Sequence, residues 1–119
     1  MSKPQDPKYD LEERTAKFGE EIIKFCSSLP HNEITRPIIN QLVKCGTSVG
    51  ANYCEADDAE SSKDFRHKIG ICKKESRECK HFLRMTAVAV VEKRDNARKL
   101  WTEAKELNLI FNAIYKKVS

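Results

Sequence analysis

Glycine and proline are scarce in this chain, with four residues of each among 119. Together with a charged content of 34%, this composition disfavours a disordered or strand-rich protein and favours a helical one. No stretch alternates apolar and polar residues over the length of a strand. The longest apolar run extends only from Ala87 to Val91, far too short to span a bilayer. No apolar segment is present in the N-terminal residues MSKPQDPKYD, so we expect no signal peptide and no membrane association.

The five cysteines form no C-x-x-C pair. Cys72 and Cys79 lie seven residues apart on a predicted helix, about 10 Å along its axis, which is too far for a disulfide between them. We therefore expect free thiols in a reducing, cytoplasmic protein. Cys45, Cys72 and Cys79 fall on core-facing stripes, where cysteine packs as a small apolar residue. Cys54 points away from the core, and Cys26 lies at the edge of a stripe.

Motifs that carry chemistry are also missing. The chain has no glycine-rich phosphate loop, so we expect no nucleotide cofactor and no small-molecule substrate. Glu78 and His81 match the Glu-x-x-His pattern of bundle metal centres once, but a second copy is absent and both residues lie opposite the core stripe. Glu55 and Glu75 would be the one candidate acid–base pair, yet no nucleophile accompanies them. The sequence thus predicts neither a metal site nor an enzyme.

Apolar residues recur at helical spacing through most of the chain. The N-terminal residues 1–8 are polar, contain Pro4 and Pro7, and are expected to be a loose tail. Residues 9–119 are expected to form one domain, an all-α antiparallel up-and-down four-helix bundle. The predicted helices cover residues 10–28, 35–60, 62–91 and 96–117.

Capping residues mark the helix starts. Asp10 can cap the first helix. Because proline is tolerated only in a first turn, Pro37 favours Thr35 as the cap of the second helix. Ser61 and Asp64 have the spacing of a capping box before the third helix.

The second predicted helix carries two adjacent stripes. At about 100° per residue, a seam of mostly small or polar residues lies beside an apolar stripe. A helix with two such flanks contacts two sets of neighbours, which predicts contact with other copies of the chain. The seam consists of Gln41, Cys45, Ser48, Asn52, Glu55 and Ala59, and the apolar stripe of Ile38, Leu42, Cys45, Val49 and Ala56.

Two further features concern this helix. Asn52 and Glu55 could join Lys68 and Glu75 of the third helix in a half-buried polar network that specifies register or assembly. Gly46 and Gly50 lie one turn apart, and each costs about 1 kcal/mol relative to Ala inside a helix. Close approach of another helix would offset that cost, and the alternative is a kink or break near Gly50.

The third predicted helix carries the strongest charge pattern. Residues 63–84 contain eight Lys or Arg and three acids, although the net charge of the chain is only +4. One interpretation is a strip that contacts phosphates, and the other is a solvated face. No aromatic residue interleaves the basic ones, so no base-stacking platform is evident, and Trp101 is expected to lie in the core. The basic strip consists of Lys63, Arg66, Lys73, Arg77, Lys80 and Arg84, of which the last five fall within about 60° on a helical wheel.

Several segments together resemble a known bacterial family of four-helix bundles, the proteins encoded in 23S rRNA intervening sequences. The most specific segment runs from Thr47 to Ala56 and contains Gly-Ala-Asn-Tyr-x-Glu-Ala, followed by Ser61-x-x-Asp64-Phe65. The resemblance extends over residues 9–117. Further matching positions are Tyr9 to Thr15, Phe18, Leu29-Pro30, Asn40 to Leu42, Ala59-Glu60, Lys63, Lys68-Ile69, Lys74-Glu75 and Glu78.

The resemblance implies a ring-like homopentamer, which would explain the seam on the second helix as a subunit contact. A related branch of the family, the accessory variability determinant of diversity-generating retroelements, implies binding of structured RNA and of a reverse transcriptase. By analogy, the basic strip would be the contact surface. The alternative is a structural scaffold or protein-interaction module that binds no nucleic acid.

Overall fold

The computed structural model describes residues 10–118, and all regular structure in that range is helical. The helices are α1 (Leu11–Ser27), α2 (Thr35–Asp57), α3 (Ser62–Ala89) and α4 (Arg94–Lys117), with a 3-10 turn (Val91–Lys93) before α4. The predicted antiparallel up-and-down four-helix bundle is confirmed. The tail expected at residues 1–8 lies outside the described residues.

The helices pack in chain order. α2 packs along α1 on one side and along α3 on the other, and α4 packs along α3, whereas α1 and α4 meet over a much shorter stretch. The bundle measures 45 × 28 × 18 Å. Because α3 and α4 run side by side at one edge of this arrangement, their outer faces form a continuous surface.

One apolar stripe from each helix forms the core, as the 3.6-residue periodicity predicted. On α2 the buried isoleucine is Ile39, whereas the sequence favoured Ile38, which is half-buried. Thr15, Ser76 and Thr86 are buried among apolar residues, with each hydroxyl donating to a backbone carbonyl of its own helix. The largest fully buried apolar side chains are Phe111, Ile22, Leu42, Ile69, Leu83, Leu107 and Val49.

Both glycines of α2 lie where α1 approaches closely. A Cβ atom on Gly46 would stand 2.8 Å from Cγ2 of Ile22, and a Cβ on Gly50 would stand 3.3 Å from the carbonyl of Thr15. α2 continues through both glycines to Asp57. Close helix approach is therefore confirmed, and the alternative of a break near Gly50 is wrong.

Local hydrogen bonds explain which predicted helix caps agree with the structure and which do not. Asp10 caps α1 by accepting from the Glu13 amide, and Ser61 caps α3 by accepting from the Asp64 amide, as predicted. Thr35 is the first residue of α2 rather than its cap, because the Asn32 carboxamide oxygen accepts from its amide at 3.0 Å. α2 also ends at Asp57, earlier than predicted, so Ala59 lies beyond the helix.

Within residues 10–118, none of the helices is both long enough and apolar enough to cross a lipid bilayer.

Candidate nucleic-acid interface

A groove of about 710 Å³ runs between the second half of α3 and the first half of α4. From α3 it is lined by Arg77, Lys80 and Arg84, three members of the predicted basic strip. From α4 it is lined by Arg94 and Arg98, one turn apart. No Asp or Glu of the described chain lines this groove. Two helices therefore present a continuous basic wall around one depression.

The floor of the groove is apolar. It contains Leu83 and Ala87 from α3 and Ala97 and Trp101 from α4. Trp101 is half-buried, packs against the core and also lines the groove. The expectation that Trp101 lies in the core is therefore met only in part. Its stripe position at the edge of α4 places it between core and solvent, where a large amphipathic ring is well accommodated.

Two lysines approach the Trp101 indole from different helices. The Nζ atoms of Lys80 on α3 and Lys105 on α4 each lie 5.6 Å from the ring centroid. This distance is within the range of a cation–π interaction. No aromatic residue interleaves the basic ones within α3, but α4 brings Trp101 beside Lys80 of that strip.

The first half of the strip meets a second aromatic residue. The Arg66 guanidinium lies 3.7 Å from the centroid of the Tyr115 ring, and its Nε donates to the Tyr115 carbonyl at 3.2 Å. The Lys73 ammonium lies 4.6 Å from the same centroid. Arg66 thus stabilises the C-terminal end of α4, where a cation complements the helix dipole. Lys63 is exposed in the first turn of α3.

Two of the three acids of α4 face α1 rather than the groove. Glu103 and Glu106 accept hydrogen bonds from Arg14 of α1, at 2.7 and 2.8 Å respectively. These carboxylates belong to the contact between α1 and α4, about half a helical turn away from the Arg94–Arg98 face. Asp95, the remaining acid of α4, is exposed beside Arg94 but does not line the groove.

Sequence reasoning missed the α4 contribution. Arg94, Arg98, Trp101 and Lys105 recur at steps of four, three and four, which places them within about 60° on a helical wheel. That pattern was readable in the sequence. Its meaning depended on the neighbour of α4, because the stripe becomes a site only when α3 places its own basic strip opposite.

The seam on α2 lies beside α3, and contacts within a single chain satisfy some of its polar residues. The Lys68 ammonium of α3 lies 2.6 Å from a Glu55 carboxylate oxygen, and this hydrogen bond raises the pKa of Lys68. The Asn52 carboxamide donates to the Ser48 carbonyl of its own helix at 2.9 Å. Gln41 is exposed and Ser48 is half-buried. A contact with a second chain stays a prediction for this surface.

Glu75 has a separate environment. Burial raises the pKa of its carboxyl, the charge of Glu78 raises it further, and Lys74 and Lys44 act in the opposite direction. Glu55 is paired with Lys68, which lies seven residues before Glu75 on α3. Lys68 and Glu75 are therefore about 10 Å apart along the helix axis. The four-residue polar network is thus only partly formed, as the Glu55–Lys68 pair, and the geometry does not unite Glu55 and Glu75 as an acid–base pair.

The cysteines of the core behave as small apolar residues, as predicted. Cys45, Cys72 and Cys79 are buried, with 3.3 Å between the sulfurs of Cys45 and Cys79, while Cys54 is exposed. Cys26, expected at a stripe edge, is also buried. In the described part of the chain, no three or more His, Cys, Asp or Glu side chains gather as metal ligands.

These features define an all-α, four-helix-bundle protein with one basic, aromatic-floored groove. The chain belongs to the 23S rRNA-intervening sequence protein family, whose model matches residues 8–113. It is similar to a crystal structure of a protein of unknown function from the S23 ribosomal protein family of Bacteroides thetaiotaomicron. The two share 25% identity with a TM-score of 0.81, over 89% of this chain and 98% of that one. No curated protein matches the chain.

Proposed function

We propose that this protein is a non-enzymatic adaptor that binds structured RNA through the surface shared by α3 and α4. The observation that carries the proposal is the convergence of five Lys and Arg residues around one groove without an acid in its lining. Phosphate contacts of this kind supply most of the sequence-independent affinity of nucleic-acid-binding proteins.

The extent of the surface suits a polyanion. From Arg66 to Arg84 the strip follows α3 for about 27 Å, at a rise of about 1.5 Å per residue. Arg94, Arg98 and Lys105 continue it sideways onto α4. A single phosphate would need only one end of this surface, whereas a folded RNA offers phosphates along its whole length. A ribonucleoprotein role, including one beside a reverse transcriptase, is the form of this proposal that the family resemblance suggests.

The proposal is tested by the affinity of a labelled RNA hairpin, measured by fluorescence anisotropy. The test variant combines Arg77→Gln with Arg84→Gln, both exposed on the groove wall. The control combines Lys17→Gln with Arg36→Gln, which removes the same charge from exposed positions on α1 and α2. We expect the groove variant to bind at least about tenfold more weakly and the control to change little. Equal weakening of both would overturn the proposal and leave the scaffold role.

Homo-oligomerisation, as a pentamer, is the second part of the proposal. It is supported by the exposed and half-buried polar residues that α2 presents beside α3, among them Gln41 and Ser48. Assembly would also bring several basic grooves into one particle, which strengthens attraction of a polyanion. Light scattering at micromolar concentration should give about 68 kDa, five times the 13.7 kDa chain. A mass of one chain would contradict assembly without affecting the groove.

A further inference from the structure

We infer that the groove between α3 and α4 holds an unpaired nucleotide of the bound RNA, with its base stacked on Trp101. This inference rests on the proposed RNA-binding function and specifies which part of the RNA enters the groove. The inference concerns the apolar residues at the floor of the groove, whereas the proposed function rests on the Lys and Arg residues that surround it.

Phosphates alone do not account for the floor. A duplex RNA presents a charged backbone on its outside, and its bases are paired and stacked inside. Such a surface would contact the guanidinium groups of Arg77, Arg84 and Arg98. It would leave uncovered the half-buried Ala87 and Trp101, which also line the groove. An unpaired base has an apolar face of the kind that the floor can cover. A nucleotide therefore matches the whole groove, because its base suits the apolar floor and its phosphate suits the basic wall.

The position of Trp101 supports stacking. The half-buried indole lines the groove and packs against the core. The Lys80 ammonium, which also lines the groove, lies 5.6 Å from the indole centroid. Because this ammonium lies over the ring, a base that stacks on that face would displace it, and the flexible lysine side chain could then meet the phosphate. Aromatic stacking of this kind is tolerant of base identity.

The spacing of the wall residues fits a strand that passes through the groove. Arg77 and Arg84 stand about 10 Å apart along α3, and Arg94 and Arg98 about 6 Å apart along α4. Trp101 lines the same groove as these four residues. The phosphates before and after the stacked base would each meet arginines. The volume of about 710 Å³ lies in the range of pockets that enclose small organic ligands.

Trp101 is the only tryptophan of the chain, so its fluorescence reports on this position alone. We expect a single-stranded oligouridylate of eight nucleotides to quench the emission of the wild-type protein. An abasic oligonucleotide of the same length, which keeps the phosphates and lacks the bases, should bind without comparable quenching. Equal quenching by both would overturn the inference, because charge alone would then explain the signal.

Variants of Trp101 provide the second measurement. Trp101→Leu keeps an apolar floor and removes the stacking platform, and Trp101→Phe keeps a smaller aromatic ring. Anisotropy should show that Trp101→Leu weakens oligouridylate binding by about tenfold or more, that Trp101→Phe weakens it less, and that binding of a blunt duplex is unchanged. Circular dichroism establishes that each variant is folded, and the wild-type quenching test stands if one is not.

The outcomes separate this inference from the proposed function. If duplex and single strand bind equally well and both are insensitive to Trp101→Leu, the groove holds no unpaired base, although RNA binding survives. If neither RNA binds in an Arg77- and Arg84-dependent way, the proposed function itself has failed. A poly-glutamate peptide with the same net charge as the oligouridylate provides a further control. If it displaces oligouridylate and binds the Trp101→Leu variant with the wild-type affinity, the groove recognises acidic chains in general and the inference is wrong.

Discussion

Arg14 of α1 forms a two-pronged ion pair with Glu103 of α4. Its Nε lies 2.7 Å from one carboxylate oxygen and a terminal nitrogen lies 2.8 Å from the other. These hydrogen bonds are the main reason that the pKa of Arg14 is raised. The pair joins the first and last helices where the bundle has its smallest helix–helix contact.

Removing the Arg14 side chain should therefore destabilise the bundle. The side chain is 15% exposed and that of Glu103 is 32% exposed, so Arg14→Leu leaves a partly desolvated carboxylate without its partner. We expect a loss of about 1–3 kcal/mol in the free energy of unfolding, measured in urea. Lys24→Gln, which breaks the exposed pair with Glu21, is the control and should change stability by less than about 0.5 kcal/mol. Equal losses would refute this account of the α1–α4 contact.

Gly46 is required by the contact between α1 and α2. Gly46→Ala places a Cβ atom 2.8 Å from Cγ2 and 2.9 Å from Cγ1 of the fully buried Ile22. The steric cost should exceed the gain in helix propensity, for a net loss of about 1–2 kcal/mol. Gly19→Ala meets only ordinary contacts, the nearest at 3.4 Å, and should be neutral or stabilising. Thermal melts of the two variants decide the point, and similar midpoints would contradict it.

Cys54 should be the only thiol among the five that reacts rapidly at neutral pH. It is exposed, whereas burial raises the pKa of Cys26 to about 11 and that of Cys72 to about 12. The pKa of Cys79 is raised by the neighbouring Cys45 thiol and by burial. Because the thiolate is the nucleophile, a colorimetric thiol reagent should label one equivalent quickly and the others only on unfolding. Cys54→Ser should abolish the fast phase, and a persistent fast phase would show that the core opens.

Glu75 should make stability depend on pH. Since its folded-state pKa is raised, mainly by burial, the folded state holds the Glu75 proton more tightly than the unfolded state does. The stability linked to that proton is complete below the ordinary glutamate pKa and is lost as pH rises through the folded-state pKa. Glu75→Gln should therefore be more stable than wild type at pH 7.

That advantage should shrink as the pH falls through the raised folded-state pKa toward the ordinary glutamate value, about 4.3. Glu20→Gln, at an exposed position on α1, is the matched control and should give no comparable trend. Urea midpoints across the pH series provide the measurement. If the stability advantage of Glu75→Gln instead grew as the pH fell, a raised pKa of Glu75 in the folded state would be contradicted.

Local signals in the sequence were sufficient for the fold. Asp10 and Ser61 cap their helices as predicted, because each bond spans three residues and needs no tertiary contact. The cap of α2 was misassigned, although its start was not, because the Asn32 carboxamide oxygen accepts from the amides of Ile34 and Thr35. Two plausible caps, Asn32 and Thr35, compete there, and periodicity does not distinguish them.

Only the α3 side of the groove could be predicted from the sequence. Arg77, Lys80 and Arg84 form a stripe on one helix and were found for that reason. The groove exists because Arg98 and Trp101 of α4 face them, and no spacing rule within α3 contains that information. Helix pairing and rotation decide which two stripes meet, and both depend on packing across the whole bundle.

The salt dependence of RNA hairpin binding tests the central claim most directly. If Arg77 and Arg84 contact phosphates, the slope of log affinity against log salt concentration should be steep for wild type. It should become shallower by about one for each arginine replaced by glutamine. The Lys17→Gln, Arg36→Gln control should keep the wild-type slope. A slope that is flat for wild type, or identical in the groove variant, would contradict the claim that this surface binds RNA phosphates.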